Sequence, residues 1–433
     1  MPDSIRVAVI QLFAQPLAHA EDVWGRLENR VAEAAAAGAR LVVTPECTYP
    51  AYWLGSADRL RSGSVLSRPA VLERFTHFAA AHRVTLVGGF AEDDGSRIFN
   101  AAAVFEPGGR CAGIYRKTLL WDCDCDWFSP GDELQPIETA VGRLGVLICA
   151  DVRSPESAAT LVNRGAELIA VPTAWVNTSG EPGRLYSIQA DFLVEARARE
   201  FGVPFICADK WGREPPLEYV GRSRIVAGGG RLMAEAGETG DACAVADVSP
   251  GAPRGSVAPP DLQPLLDGSG RRLPAIDGPV LVRIAAGSTD PVDPDHADVS
   301  LAGDEIRFRS SARAAVLSTS VRRLRSAEIV TFHATRAAAL AGVRLCLVPG
   351  VGPDQIVTLR ARAAENRMFI GATARGGSGG WLISPDGSML ASAAGPNACV
   401  SASVDLNLAD DKHVTPKTDL WAQRRPRLYR LTP

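Results

Sequence analysis

The sequence is poor in histidine, with six in 433 residues, and only His19, His77 and His82 fall in the first half. A cysteine activated by histidine therefore has few candidate partners. No Lys/Arg run occurs, and a formal net charge of -3 leaves no basic footprint for nucleic acid or an anionic membrane. No window nears the ~20 apolar residues that span a bilayer. The opening MPDSIRVAVIQL has no basic leader and no small-residue cleavage site, so it reads as the first strand of a cytoplasmic domain. Nine cysteines, an odd number, run from Cys47 to Cys399 without a framework spacing and are expected as reduced thiols. Cys123 and Cys125 stand close, but without a second pair or a nearby His they predict no zinc site. What the chain does have is core: hydrophobic residues make up 46% and charged residues 22%, and the length predicts two domains.

The first part alternates strands and helices. Residues 5–12 alternate and then run apolar, as a buried strand does. Val23, Leu27, Val31 and Ala34 share one face of a helix over 20–37, with Gly38 at the C-cap position. A strand LVVTPE, a helix over 69–82, a strand VTLVGGF and a hairpin over 98–116 follow. Residues 143–148 predict a strand with Cys149 at its carboxyl end, and Ser154, Pro155 and Glu156 then supply the cap, first-turn proline and first-turn acid of a helix. That strand–turn–helix order exposes a side chain at the top of a sheet. A helix near 185–200, the strand VPFICAD and a hairpin through 220–248 close the domain 1–248. The Pro- and Gly-rich stretch 249–279 has no periodicity and reads as a linker or a wrapping arm.

Residues 280–433 form a second domain that echoes the first. ALAGVRLCLVPG (339–350) resembles LVNRGAELIAVPT (161–173), ARAAENRMFIGAT (361–373) resembles ARAREFGVPFICA (196–208), and WLISPDGSMLASA (381–393) resembles RIVAGGGRLMAEA (224–236). Three matches in one order predict an internal repeat.

Three segments carry chemistry, each at the end of a predicted strand: TPECTYP (44–50), YRKTLLW (115–121) and LICADVRSPE (147–156). An acid, a lysine and a cysteine at strand ends can meet at one edge of a sheet. A thiol near its free pKa is mostly protonated at neutral pH, so a carboxylate must take its proton. Attack on a carbonyl builds negative charge on oxygen, which a fixed lysine and backbone N–H groups can hold.

In order and spacing these segments resemble the nitrilase superfamily over roughly residues 5–248, and the cysteine segment fits that family's pattern C-x-D-x-R-x-P-E. The resemblance implies a four-layer α-β-β-α sandwich, followed here by a shortened, degenerate α/β copy. It implies Glu46 as general base, Cys149 as nucleophile, Lys117 and the backbone N–H of Ala150 as stabilisers of the tetrahedral intermediate, and no metal or organic cofactor. Many family members carry a second glutamate four residues before a Phe-x-Pro-Gly motif. Here that motif is Phe128, Ser129, Pro130 and Gly131, and the position holds Asp124, with Asp122 and Asp126 as substitutes. Asp151 and Arg153 are expected to pair and brace the elbow. Tyr49, Tyr52, Trp53, Trp121 and Trp175 adjoin the three motifs and are candidates for a pocket wall.

Ala150-Asp151 stands where true nitrilases have Trp-Glu, which leans toward an amidase or N-carbamoyl amidohydrolase acting on a small amide. Val152 replaces the first of two arginines that read a carboxylate in D-carbamoylases, so a carboxylate-bearing substrate is not implied. Two alternatives stand: a nitrilase acting on a C≡N group, and a catalytically silent binding or scaffold protein. No S-G-G-x-D-S loop for an ATP-using partner domain occurs. The second domain shows no echo of the acid or lysine segments; aligning AVLSTSVRR with VLICADVRS puts Ser318 at the nucleophile's place. Family members associate through the helices after the nucleophile. A homo-oligomer is therefore expected, with the half-copy occupying that surface.

Overall fold

The computed structural model describes residues 4–62, 65–251, 262–268, 270–285, 297–302, 305–309, 311, 313–396 and 398–432. Residue contacts divide the chain into two units. One comprises Met1–Val257 with Thr415–Thr418 and Gln423–Pro433; the other comprises Ala258–Val414 with Asp419–Ala422. The end of the chain, read from sequence as part of the second domain, thus packs largely with the first unit.

The first unit holds two sheets. Its strands are β1 (Ile5–Phe13), β2 (Leu41–Val43), β3 (Thr85–Asp93), β4 (Ile98–Phe105), β5 (Cys111–Arg116), β6 (Ile137–Thr139), β7 (Gly142–Val146), β8 (Leu168–Pro172), β9 (Phe205–Ala208), β10 (Lys210–Glu214), β11 (Leu217–Val220), β12 (Arg224–Val226), β13 (Leu232–Glu235) and β14 (Ala242–Val248). One sheet runs β11-β10-β1-β2-β3-β4-β5 with β14 also on β1, and the other runs β13-β12-β9-β8-β7-β6. The sheets face each other through β1, β2 and β3 against β8 and β9. Helices Val23–Ala36 and Arg68–His82 cover the first sheet, and helix Val194–Phe201 covers the second. This is the α-β-β-α sandwich.

Both faces of each sheet are covered, so the central strands are apolar runs rather than alternating ones. Every residue of Leu41–Val43 and Leu168–Pro172 is buried. Behind the first sheet, Trp24 stacks on Tyr49 with centroids 4.8 Å apart, and Phe75 meets Phe105 at 5.9 Å. Such aromatic pairs add about 0.5–1.5 kcal/mol beyond the area they bury.

The second unit holds two smaller sheets whose strand order partly matches the first unit's. Its strands are β15 (Val280–Ala285), β16 (Val299–Ala302), β17 (Glu305–Phe308), β18 (Val321–Arg323), β19 (Leu345–Val351), β20 (Phe369–Ala374), β21 (Gly379–Ile383), β22 (Met389–Ala394) and β23 (Cys399–Val404). The sheet β18-β19-β20-β21-β22 is parallel across β18, β19 and β20, then antiparallel. The run β7-β8-β9-β12-β13 has the same order and the same senses. Likewise β15 pairs in parallel with β16 and antiparallel with β23, as β1 does with β2 and β14.

Two expectations change. Residues 252–261 and 269 of the expected linker lie outside the described residues, but its remainder includes a helix, Leu262–Asp267, with Leu262 and Leu266 buried. Apolar spacing at i and i+4 outweighed the local Pro and Gly content there. Ser318 does not end a strand. It lies exposed on helix Ala314–Ser320, with its hydroxyl on the Ala315 carbonyl at 2.8 Å. The register identifies a different counterpart. Leu147 N–H donates to the Ala170 carbonyl at the end of β7, and Leu324 N–H donates to the Leu347 carbonyl at the end of β18. Cys149 and Ser326 each follow two residues later.

Candidate active site

The backbone brings three strand ends together. Glu46 follows β2, and its N–H donates to the Thr173 carbonyl at 3.2 Å, joining strand ends of the two sheets. A Cβ on Gly89 of β3 would lie 2.1 Å from the Pro45 carbonyl oxygen, so only glycine lets β3 approach the segment carrying Glu46. Lys117 follows β5, with its N–H on the Asn100 carbonyl at 2.8 Å and its own carbonyl accepting from Gly131 N–H at 2.7 Å. A Cβ on Gly131 would sit 2.2 Å from the Arg116 carbonyl oxygen, which explains the glycine of the Phe-Ser-Pro-Gly motif. Cys149 stands on the elbow after β7 at φ +44°, a left-handed conformation rare for a residue with a Cβ.

Asp151 holds that elbow. Its carboxylate accepts the N–H groups of Ile148 (2.9 Å), Thr118 (3.1 Å) and Leu119 (2.8 Å), and the hydroxyls of Tyr115 (2.8 Å) and Thr118 (2.9 Å). One acid thereby ties the nucleophile's turn to the segment after Lys117. The expected pairing with Arg153 gives way to this use of both oxygens. Arg153 lies 4.4 Å over the Trp121 ring and donates to Gln189 Oε1 at 3.0 Å.

Lys117 is fully buried between two acids, with Nζ 2.6 Å from Glu46 Oε1 and 2.5 Å from Asp124 Oδ2. Asp124, and neither Asp122 nor Asp126, reaches the lysine. Its Oδ2 also accepts from Trp121 N–H at 2.9 Å. Asn100 Nδ2 donates to Glu46 Oε1 at 2.6 Å and approaches Asp124 Oδ1 at 3.5 Å, bracing both acids. Glu46 Oε2 is buried without a hydrogen-bond partner in the structure. An unsatisfied carboxylate oxygen costs stability in a fold, and it is what a base needs.

The electrostatics agree with that division. Burial raises Glu46 above the ordinary carboxylate range, against the pull of the Lys117 ammonium. Burial alone would lower Lys117, but Asp124 and Glu46 outweigh it and hold the ammonium well above its usual range. Burial pushes the Cys149 thiol up, and Glu46 adds to the shift, so the sulfur keeps its proton at neutral pH. A protonated thiol, a carboxylate with a free oxygen and a locked ammonium can together deliver a nucleophile and stabilise an oxyanion. Around the sulfur stand the Ala174 carbonyl at 3.9 Å, the Gln189 amide nitrogen at 3.7 Å and the Thr173 hydroxyl.

The expected pocket aromatics divide. Tyr52 is buried with its ring 5.8 Å from Lys117 Nζ, and Trp121 lies beside Asp124 and Arg153. Trp175 follows Ala174, and its N–H donates to Asp209 Oδ1 at 2.7 Å. Trp53 meets the Trp127 ring edge-on at 5.1 Å. Tyr49 turns away: its hydroxyl donates to Glu21 at 2.6 Å and accepts from Leu66 N–H, in the core behind the first sheet. Its backbone makes a single bridge to Phe90 of β3, and its ring stacks on Trp24 of the covering helix. Asn100 left a trace in the sequence, as the one amide in the otherwise apolar strand IFNAAAVF. Thr173 and Gln189 left none.

Residues 6–253 match the family described as carbon-nitrogen hydrolase. An omega-amidase of Homo sapiens is 30% identical over 261 residues, covering 57% of this chain and 88% of that protein. A nitrilase of Pyrococcus abyssi is 30% identical over 246 residues, covering 56% and 89%. Among solved structures, an amidase from Nesterenkonia sp. superposes with a TM-score of 0.50 at 26% identity, covering 57% of this chain and 92% of that one. The family match takes in all three strand-end segments, and the chain belongs to the carbon-nitrogen hydrolases of the nitrilase superfamily, enzymes that act on amides.

Proposed function

We propose that the first unit hydrolyses a small linear amide through a thioester on Cys149. The carrying observation is the buried Lys117 ammonium clamped by Glu46 and Asp124, with Glu46 Oε2 left free. Glu46 takes the thiol proton as sulfur attacks the carbonyl carbon, and the new oxyanion is met by Lys117 and the Ala150 N–H. Collapse breaks the C–N bond, and Glu46 returns the proton to the departing nitrogen. Water, deprotonated by Glu46, then attacks the thioester; the C–S bond breaks and the thiol is restored as the acid leaves. The step needs no metal or organic cofactor.

The second unit is, on this reading, a degenerate copy without a triad. Its elbow carries Ser326, and its β15-bearing sheet, β17-β16-β15-β23, has no counterpart of β4 and β5, the hairpin that leads into Lys117, among the described residues. A panel of linear amides followed by ammonia release tests the activity, and mass spectrometry of a slow-substrate mixture should find one acyl group on Cys149. A protein that releases neither ammonia nor amine from any of them, and carries no adduct, would be a binding protein instead.

A further inference from the structure

The acidic loop that presents Asp124 is held from outside itself. Asp122, two residues before Asp124, has φ +36°, and its N–H donates to Thr418 Oγ1 at 2.7 Å. The same hydroxyl faces the Leu120 carbonyl at 3.4 Å, and Leu120 N–H donates to Gln423 Oε1 at 2.9 Å. On the far side of Asp124, the Lys417 ammonium grips both carboxylate oxygens of Asp126 at 2.7 and 2.5 Å. Cys125 Sγ approaches the Lys417 carbonyl at 3.6 Å, and Gln423 Nε2 approaches the same sulfur at 3.7 Å. Thr418 is fully buried. Two short stretches nearly 300 residues downstream thus satisfy the backbone before the acid that reaches Lys117 and hold the side chains of the two residues after it.

We propose that Lys417, Thr418 and Gln423 are positioning residues of the active site: a carboxy-terminal strap that sets Asp124 against Lys117. None touches the reacting atoms. A left-handed Asp122 carries some backbone strain, which the partners of its loop help to hold. Without the Thr418 hydroxyl, the part-buried Asp122 N–H and the buried Leu120 carbonyl would lose that partner, and the loop would relax to satisfy them. Asp124 would then leave Lys117, and the ammonium would drift from the place where the oxyanion forms. An ångström there is enough to slow turnover. The residues between the two stretches, Asp419–Ala422, pack with the second unit, where the Trp421 ring lies 4.3 Å from the Lys412 ammonium. The strap is therefore continuous along the chain with residues of the second unit.

The proposal rests on the amidase reading, so its test uses two readouts in the full-length protein: amide turnover and the rate at which iodoacetamide labels Cys149. Thr418→Val should lower kcat by roughly 10- to 100-fold with KM within about twofold, and slow the labelling in parallel. Thr418→Ser should restore both. Lys417→Glu should lower both less, and the swap Lys417→Glu with Asp126→Lys should recover part of the loss. Unchanged kcat and labelling in Thr418→Val would overturn the proposal. So would a loss that follows only the fraction of folded protein, measured by circular dichroism, with the remaining folded enzyme at full rate. If wild type turns over no amide, the amidase reading fails, and the labelling series still decides the strap.

Discussion

The two elbows of this chain make a controlled comparison. At the first, Asp151 accepts Ile148 N–H; at the second, Glu328 accepts Arg325 N–H at 2.7 Å. Behind the first, the buried Arg197 donates to the Val152 carbonyl at 3.1 Å and to Glu200 at 3.1 Å. Behind the second, Arg362 donates to the Ile329 carbonyl at 3.0 Å and to Glu365 at 2.5 Å. The two turns are held alike, but Ser326 stands where the first has Cys149, and no described residue repeats the Lys117 clamp. What both elbows share serves the turn; what only the first has serves the chemistry. Asp151, Arg197 and Glu200 therefore belong to the fold, although the first sits two residues from the nucleophile.

The largest expected break in the comparison is at the two elbow residues themselves. Cys149→Ala should abolish ammonia release with little change in thermal stability, whereas Ser326→Ala should leave turnover as it is. Activity surviving the first substitution would remove the nucleophile from the first elbow.

Next come the groups that only the first unit owns. Lys117→Ala should cost at least 10²–10³ in kcat, and Glu46→Gln roughly 10²–10⁴. The pH profile separates the two. Because burial raises Glu46, its carboxylate is lost as pH falls through a value above the ordinary carboxylate range, so the acid limb of kcat/KM should lie above about 4.5. In Glu46→Gln that limb should vanish. The residual rate should then climb with pH into the alkaline range, as the raised Cys149 thiol ionises without help. An unmoved acid limb in Glu46→Gln would assign it to another group.

A smaller effect is expected within the acidic loop. Asp124→Asn keeps the shape but removes a charge from Lys117, so it should slow turnover far more than Asp122→Asn or Asp126→Asn. Equal, small effects at all three would place the loop outside the reaction.

The weakest contrast concerns the shared scaffold. Truncating Arg197 or Arg362 to Ala removes the buried guanidinium that holds an elbow carbonyl and a glutamate together, and should destabilise by about 3–5 kcal/mol, read as a fall in melting temperature. Only Arg197→Ala should also reduce the turnover of the protein that remains folded, because Val152 lies three residues from Cys149.

Local chemistry by itself determined the strand-end placement of Glu46, Lys117 and Cys149, since period-two and apolar runs, caps and turn residues act over a few positions. It also determined the order in which segments of 339–393 echo those of 161–236. Tertiary structure decided the rest. Which of three aspartates reaches Lys117 depends on a loop pinned by Thr418 and Gln423, far away in sequence. Whether Tyr49 lines a site or a core depends on which face of its segment meets Trp24. Ser326 stands opposite Cys149 in the comparison, in place of Ser318, because strand pairing, which identity of neighbouring letters does not encode, sets the register. Asn100 showed as a polar residue in an apolar strand, but only the folded chain supplied the two acids that it braces. Long-range partners such as these are chosen by packing and by the need to satisfy buried polar groups, and neither leaves a local signature.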